Sequence, residues 1–225
     1  MNTIRVAIDG PSGAGKSTLA RSIAGELGCL YVDTGAIYRT VGCYVRGQGI
    51  DPGDEAAVTG CLPGISVELS YGEDGLQHMV LNGEDVTAAI RLPEISKYAS
   101  AVSAYPGVRA FLLEMQRRLA REHSVIMDGR DIGTVVLPDA EVKVYLTAST
   151  EARARRRCLE LEQRGTPQPY ETVLKEIEER DWKDTHRSVA PLRQAEDAVL
   201  LDTTDLNFQE SRETLLAIVR ERTQR

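Results

Sequence analysis

A glycine-rich segment near the amino terminus constrains the fold of this chain more than any other feature. Residues 10–18 read Gly-Pro-Ser-Gly-Ala-Gly-Lys-Ser-Thr, which contains the pattern G-x-x-x-x-G-K-[ST]. A short β-branched run, 4–9, precedes this segment, and a helical pattern over 16–27 follows it. The glycines let backbone N–H groups turn inward, and the start of the helix adds further donors. The sequence therefore predicts a phosphate-binding loop between a strand and a helix.

The individual positions of this loop suit a nucleotide. Lys16 reaches the β and γ phosphates, and the Ser17 hydroxyl suits Mg²⁺. Average residue usage gives about one chance match to the pattern in a hundred chains of this length, so an ordinary turn is a weak alternative. We expect contacts to the nucleotide from Gly10, Pro11, Ser12, Gly13, Ala14, Gly15, Lys16, Ser17 and Thr18.

The loop by itself does not define an activity. A GTPase would carry a base-reading Asn-Lys-x-Asp, and an ABC-type ATPase would carry Leu-Ser-Gly-Gly, but the sequence contains neither. The loop therefore predicts nucleotide binding. The rest of the chain must show which molecule accepts the phosphate.

Short apolar strands alternate with helices along the chain, which predicts an α/β fold with a parallel sheet covered on both faces. The predicted strands are 4–9, 31–33, 124–128, 141–146 and 198–202, and the predicted helices are 16–27, 34–46, 108–121, 150–164, 170–185 and 207–222. Thr34 is the predicted N-cap of the second helix. We expect one domain, 1–225, with a region inserted at 50–97, where glycine, proline and short alternating runs predict a small antiparallel sheet.

Composition narrows the classes of partner and location. The net charge of −7 argues against a long polyanion such as nucleic acid. No apolar run approaches the roughly 20 residues of a membrane span, and the amino terminus has no signal-peptide pattern. The four cysteines form no metal-binding or Cys-x-x-Cys spacing, which favours reduced thiols. We expect a cytoplasmic monomer without a membrane or nucleic-acid partner.

The segment 33–39, Asp-Thr-Gly-Ala-Ile-Tyr-Arg, follows the second strand. A helix start together with Arg39 suits a second, smaller phosphate near Thr34. The same residues suit a plain N-cap followed by a solvated arginine equally well. Both interpretations stay open on these residues alone.

The segment Asp128-Gly129-Arg130-Asp131 comes directly after an apolar strand. Ligands of open α/β sheets bind beyond the carboxyl ends of the strands. Asp128 is placed to hold Mg²⁺ through water, and Arg130 to contact a phosphoryl group. A turn with a structural ion pair is the less favoured alternative.

The later helices are rich in arginine. Arg153 and Arg157 share a helix face, which costs energy unless an anion is present, and Arg180, Asp184 and Arg187 form a second stripe. We interpret both groups as phosphate ligands on a short helical lid, 153–170, that closes over the nucleotide. Solvated helix faces are the competing interpretation.

Four segments together resemble the bacterial cytidylate kinase family. They are residues 10–18, 33–39, the stretch Asp128-Gly129-Arg130-Asp131-Ile132-Gly133-Thr134, and Arg187-Ser188-Val189-Ala190-Pro191-Leu192. The resemblance covers essentially the whole chain. It implies a P-loop three-layer fold, with the 50–97 insertion enlarging the region that binds a nucleoside monophosphate. It also implies transfer of the γ-phosphoryl group of ATP to CMP or dCMP with Mg²⁺.

The resemblance further implies roles for individual residues. It suggests Ser12, Arg39 and Arg130 at the CMP phosphate, Ser100, Arg109, Asp131 and Arg187 around the cytosine, and Arg180 and Asp184 near the sugar. We add Thr34, at the predicted helix start, as a further substrate-binding residue. An aspartate beside arginine and serine can read both the exocyclic amine and the ring acceptors of cytosine. Lys16, Arg130, Arg180 and Lys183 are the implied catalytic residues, Ser17 and Asp128 the metal ligands, and Arg153 and Arg157 the lid contacts to ATP.

Two positions depart from the family's pattern. Lys183 stands where the family often has arginine, so this contact is a point charge rather than a planar fork. Gly107 replaces a commonly basic residue near Arg109. Two rival hypotheses also stay open: a kinase for UMP or another small alcohol, and a nucleotide-gated regulatory module without turnover.

Overall fold

The structure is a computed structural model that describes residues 3–73 and 75–223. The strands are β1 (Arg5–Asp9), β2 (Leu30–Asp33), β3 (Val67–Tyr71), β4 (Gln77–Leu81), β5 (Glu84–Asp85), β6 (Val125–Gly129), β7 (Val142–Thr147) and β8 (Val199–Asp202). The α-helices are α1 (Lys16–Ala24), α2 (Thr34–Gly47), α3 (Glu55–Cys61), α4 (Pro93–Val102), α5 (Pro106–Glu122), α6 (Thr150–Gln163), α7 (Tyr170–His186) and α8 (Phe208–Thr223). Short 3₁₀ turns occupy Leu62–Gly64 and Ala89–Arg91, and a π-helical turn occupies Ile132–Val136.

The chain forms two compact units. One contains the chain up to Tyr31 and from Ala120 onward, and the other is Val32–Leu119. A five-stranded sheet has the order β2-β6-β1-β7-β8. Its central strands are parallel, with Ile8 of β1 beside Asp128 on one side and Val144 on the other. This register brings the carboxyl ends of β1, β6 and β7 to one edge, where the glycine-rich loop begins.

The core of the first unit lies where α1 and α8 pack against each other and against the sheet. The strands are short and almost wholly buried, as expected for parallel strands with both faces covered. Apolar residues repeat at helical spacing in α1, so Leu19, Ile23 and Ala24 face the core. The buried members of this cluster include Val6, Ile8, Ile126, Val144, Leu146, Leu201, Leu215 and Val219.

The second unit combines helices with the small antiparallel sheet β3-β4-β5. Val67 pairs with Leu81, and Tyr71 pairs with Gln77. Helices α2 and α4 pack so closely that a Cβ added to Gly42 would lie only 2.9 Å from the backbone nitrogen of Ala99. Glycine at this position therefore permits the two helix backbones to approach.

The fold confirms the predicted α/β class, the parallel sheet and the small antiparallel sheet. The five predicted parallel strands recur within one or two residues. Helix α1 ends at Ala24 rather than at 27. Helices α3 and α4 were not predicted, because the prolines and glycines around them also suit turns; Pro93 in fact occupies the first turn of α4, where proline is favoured.

One predicted cap was wrong. Asp33, not Thr34, is the N-cap of α2: its Oδ1 accepts a hydrogen bond of 2.9 Å from the N–H of Ala36. Thr34 is the first helical residue and is buried. Both residue types cap helices well, and here the last residue of β2 serves as the cap. Across residues 3–73 and 75–223, the structure contains no helix whose length and hydrophobicity would suit a bilayer span.

Candidate active site

The glycine-rich loop leaves β1 at Gly10 and enters α1 at Lys16. Gly10, Gly13 and Gly15 have φ angles of 151°, 74° and 92°, in the region that residues with a Cβ rarely adopt. A Cβ on Gly10 would also lie 1.9 Å from the carbonyl oxygen of Leu146 on β7. The loop conformation thus depends on glycine both for its dihedral angles and for its contact with the sheet.

Lys16 is buried inside this loop. Its Nζ donates a hydrogen bond of 2.7 Å to the carbonyl oxygen of Pro11. Burial above all, and then the nearby positive charge of Arg130, lower the pKa of Lys16 to about 7. A buried ammonium with one carbonyl partner is a strong site for an anion, because a phosphate would restore the charge balance that burial disturbs.

Ser17, Asp128 and Tyr31 form a small oxygen-rich group. The Ser17 hydroxyl donates to Oδ2 of Asp128 at 2.9 Å, and the Tyr31 hydroxyl donates to Oδ1 at 2.8 Å. Asp128 is buried at the carboxyl end of β6. The two sequence-predicted metal ligands therefore lie within hydrogen-bond distance of each other, and Tyr31 orients the carboxylate in a way that the sequence did not indicate.

Asp9, at the end of β1, ties the next loop to the sheet. Its Oδ1 accepts from the N–H of Ile132 and its Oδ2 from the N–H of Gly133, each at 2.7 Å. Burial raises the pKa of Asp9 to about 6 against these two hydrogen bonds, which lower it. Sequence reasoning missed this residue, although an acid at the end of an otherwise apolar strand is itself a signal.

The loop after β6 carries two charged pairs with α7 and the segment beyond it. Arg130 donates through Nε to Oδ2 of Asp184 at 2.8 Å. Burial disfavours the charge of Arg130, but Asp184, with the charges of Asp128 and Asp181, outweighs it and the pKa of Arg130 is raised. Burial likewise opposes the charge of Asp184, yet Arg130 keeps its pKa low. Arg187 lies 3.4 Å from Asp131.

Within the first unit, three segments contribute charges to one neighbourhood. The pKa of Lys16 responds to Arg130, Asp128, Arg180 and Asp184, with the effect of burial larger than that of any of them. The loop, the end of β6 and α7 therefore bring together cations and acids that are up to 168 residues apart in sequence. Lys183, by contrast, is exposed on α7.

The two arginines of α6 that were predicted to contact the nucleotide do not share one environment. Arg153 is buried, and its Nη1 donates to the carbonyl oxygen of Ser12 at 3.0 Å. Arg157 is partly exposed and pairs with Glu160 at 2.7 Å, one helical turn further on. Their four-residue spacing places both arginines on the same side of α6. Because α6 is polar almost throughout, its sequence pattern does not show which of its residues the rest of the protein covers.

The second unit holds the remaining predicted residues. Arg39 donates through Nη2 to Oδ2 of Asp33 at 2.8 Å. Arg109 is buried, donates to the carbonyl oxygen of Ser103 at 3.0 Å and lies 5.6 Å above the ring of Tyr38. Gln77 pairs with the backbone of Asp33 through Oε1 at 2.7 Å and Nε2 at 3.2 Å. A buried glutamine thus fixes the turn that carries Asp33 and Thr34.

Ser100 follows Ala99, the residue of α4 that Gly42 approaches. Ser100 is partly buried on α4, and its carbonyl oxygen accepts from the Ser103 hydroxyl at 3.0 Å. Gly107, one of the two departures from the expected pattern, lies against Thr59: a Cβ there would be 2.8 Å from the Thr59 methyl carbon. A side chain at 107 would therefore require Thr59 to move.

Comparisons with known sequences identify one family. The sequence profile of the family described as cytidylate kinase matches residues 6–221. A cytidylate kinase from Lactobacillus gasseri is 48% identical over 207 residues, 92% of this chain and 90% of that protein. A cytidylate kinase from Geobacillus sp. (strain WCH70) is 48% identical over 221 residues, 98% of each chain. The crystal structure of an uncharacterized protein from Eubacterium ventriosum covers all of both chains with a TM-score of 0.52 at 12% identity, so the arrangement of elements recurs there.

Proposed function

The chain belongs to the cytidylate kinase family, and we propose that it transfers the γ-phosphoryl group of ATP to CMP or dCMP, giving CDP or dCDP. One observation carries the proposal beyond family membership. Lys16, Arg130 and Arg180 are electrostatic neighbours in the first unit, beside the acids Asp128 and Asp184. Phosphoryl transfer depends mainly on positioning and on neutralising charge at the transferred group. Lys16 is buried beside the glycine-rich loop and Arg130 and Arg180 are partly buried, so these cations meet that requirement.

The donor nucleotide occupies the loop from Gly10 to Thr18 in this proposal. Backbone N–H groups and the start of α1 hold the phosphates of ATP. Lys16 exchanges its hydrogen bond to the Pro11 carbonyl for a phosphate oxygen, which also restores its full positive charge. The lid, 153–170, closes over the nucleotide and brings Arg157 toward it.

The same site suits Mg²⁺. The ion prefers oxygen ligands and takes one or two carboxylates together with substrate phosphates. Ser17 and Asp128 provide a hydroxyl and a carboxylate 2.9 Å apart, and the described residues contain no group of three His, Cys, Asp or Glu that would form a protein-only cage. Bound Mg²⁺ would supply positive charge to the phosphates. Tyr31 holds the Asp128 carboxylate in place.

The acceptor nucleotide is held by residues at the phosphate and at the base. We propose Ser12, Thr34, Arg39 and Arg130 for the CMP phosphate, Arg180 and Asp184 for the sugar, and Ser100, Arg109, Asp131 and Arg187 for the cytosine. The inserted region 50–97 enlarges the part of the chain that receives the monophosphate. The polar hydrogen-bonding groups proposed around the base would reject a base that leaves them unpaired.

A panel of acceptors tests the proposal. Turnover would be measured in a coupled assay with ATP, Mg²⁺ and each of CMP, dCMP, UMP, AMP and shikimate. We expect CMP and dCMP to give the highest kcat/KM, with UMP lower because it exchanges an amine donor for a carbonyl acceptor. Activity on AMP or shikimate without activity on CMP would overturn the proposal, and no turnover with any acceptor would favour the regulatory alternative.

Replacement of Arg130 tests the proposed chemistry. Arg130→Ala should lower kcat by about 10³-fold, the usual effect of removing an arginine that stabilises a transferred phosphoryl group. Affinity for ATP should change far less. Arg130→Lys keeps a charge opposite Asp184 and separates loss of the planar fork from loss of folding. Arg155→Ala, an exposed arginine on α6, is the matched control, and an equal loss in both variants would contradict this assignment.

We further propose that the enzyme works as a monomer in the cytoplasm. The support is the net charge of −7 and the presence of four cysteines without a disulfide among the described residues. Light scattering at several concentrations would test the oligomeric state directly. A mass that doubles with concentration would overturn it.

A further inference from the structure

Arg153, in the first turn of α6, is a buried arginine with only 4% of its surface exposed. All three nitrogens of its guanidinium group are engaged. Nε donates to the carbonyl oxygen of Ala148 at 2.9 Å, Nη1 to that of Ser12 at 3.0 Å, and Nη2 to Thr150 Oγ1 at 3.0 Å. Its charge is matched by Asp181 of α7, with Nη1 2.7 Å from Oδ2.

These partners come from three parts of the chain. Ser12 lies in the phosphate-binding loop, Ala148 and Thr150 lie where β7 passes into α6, and Asp181 lies near the end of α7. The loop also packs on the same side chain, because a Cβ on Gly13 would lie 3.4 Å from Cβ of Arg153. One guanidinium group therefore connects the loop to both helices of the lid region.

The helices α6 and α7 have a small core of their own. It consists of Ala154, Leu161, Val173 and Ile177, with Cys158, Tyr170 and Leu174 packed against it. None of these residues belongs to the main cluster around α1, α8 and the sheet. Polar contacts such as those of Arg153, and the hydrogen bonds from Arg156 to Thr203, therefore carry much of the attachment of this helix pair.

Asp181 lies between two residues proposed above to belong to the site, Arg180 and Asp184. Arg180 precedes it directly, and Asp184, which holds Arg130, follows one helical turn later. A displacement of Asp181 relative to Ser12 is thus a displacement of these groups relative to the loop. Misplacement of reacting groups by about 1 Å can cost on the order of 100-fold in rate.

We propose that Arg153 is a positioning residue that couples the phosphate-binding loop to α7 through Ser12 and Asp181, and that it is not a ligand of ATP. The inference rests on the kinase activity proposed above. The energetic argument is direct, since a buried guanidinium that left Asp181 for a ligand would leave this half-buried carboxylate, 22% exposed, without its ion-pair partner. The coupling keeps Arg180 and Asp184 in register with the loop.

A double-mutant cycle tests this coupling. The variants are Arg153→Lys, Asp181→Asn and the double variant, with Arg155→Lys on the exposed face of α6 as the matched control. A lysine keeps the charge but cannot hold Ala148, Ser12 and Asp181 together. We expect each single change to lower kcat by about 10- to 100-fold, the double variant to be no slower than the slower single variant, and the control to match wild type.

Binding of a non-hydrolysable ATP analogue, measured by calorimetry, separates positioning from direct contact. We expect its Kd to change by less than about threefold in every variant, which is the pattern of an interaction made for the chemical step. A tenfold weaker Kd in Arg153→Lys, with Asp181→Asn unaffected, would show that Arg153 binds phosphate and would overturn the inference. Multiplicative losses of kcat would overturn the coupling.

Two further readouts keep the test decisive. If Arg153→Lys does not fold, Asp181→Asn alone decides, because an unchanged kcat there overturns the inference. If both single variants melt at lower temperatures but keep the kcat of wild type, the Arg153–Asp181 contact is only a structural ion pair, and the inference is overturned as well. If the wild-type protein were inactive with every acceptor, the proposed function would be refuted. The coupling could still be tested by comparing the amide NMR shifts of Gly13 and Gly15 in Asp181→Asn with those in the control Arg155→Lys: coupling predicts changed shifts in the first variant only.

Discussion

Among the residues that the structure describes, two hydrophobic clusters of the first unit differ greatly in size. The main cluster, defined by the buried residues of α1, α8 and the sheet, supports the glycine-rich loop and the strand ends that hold Asp9 and Asp128. The lid cluster, Ala154, Leu161, Val173 and Ile177, supports only α6 and α7. Because local stability follows buried apolar contact, we expect the donor loop, which the larger cluster supports, to open less readily than α6 and α7, which the smaller cluster supports.

The largest effect is expected from damage to the main cluster. Leu146 of β7 is fully buried there. Leu146→Ala should lower the free energy of unfolding by about 2–5 kcal/mol, through lost burial and the cavity left behind. Urea denaturation, monitored by circular dichroism, measures this loss of unfolding free energy. Leu159→Ala, with 59% of the Leu159 surface exposed on α6, should stay within about 0.5 kcal/mol, and similar losses in both variants would contradict the comparison.

Damage to the lid cluster should be smaller and local. Val173 is buried between α6 and α7. Val173→Ala removes two buried methyl groups, so it should lower the free energy of opening of these helices by about 1–2 kcal/mol. Native-state hydrogen exchange would show faster exchange in α6 and α7 while β1 and β7 keep their protection. Equal acceleration in both regions would mean that the two clusters open as one.

The smallest expected effect is the dependence of stability on pH that comes from Lys16, in the glycine-rich loop. The pKa of Lys16 is about 7 in the folded protein, against 10.5 in an unfolded chain. Between these values the unfolded chain binds more protons, so stability rises with pH. From pH 7 to 8, wild type should gain about 1 kcal/mol relative to Lys16→Met. Thermal unfolding of both proteins at each pH measures the gap.

Bound nucleotide provides the control for that titration. Phosphate oxygens around Lys16 would raise its pKa again, so the gain between pH 7 and 8 should shrink when a saturating ATP analogue is present. A gap that does not change with pH in the free protein would show that burial does not determine the protonation of Lys16.

Much of the fold and part of the candidate site could be predicted without the structure. The glycine-rich loop is contiguous, so its residues and their roles are local properties of eight or nine positions. The parallel strands were predicted because each is an apolar run of the right length. The wrong N-cap at Thr34 shows the limit of local reasoning, since Asp33 and Thr34 are both good caps and only the end of β2 decides between them.

The rest of the candidate site depends on contacts that no local pattern contains. Arg153 was predicted to face an anion, but its side chain is buried against Ser12, 141 residues earlier in the chain. Asp9 looked like part of a strand, yet it holds two N–H groups 123 and 124 residues away. The assignment of an arginine to a ligand, an ion pair or a structural contact follows from burial and partners, and helix periodicity contains neither.

The sequence by itself determined that this protein has a phosphate-binding loop between a strand and a helix, and that the loop belongs to an α/β fold. It did so because the pattern, the strand before it and the helix after it are all local. Only the tertiary structure decided how the remaining charges are used: Lys16 is buried on the Pro11 carbonyl, Arg130 is paired with Asp184, and Arg153 is held between the loop and α7. The physical reason is desolvation, because a buried charge must find its partner in space, wherever that partner lies in the chain.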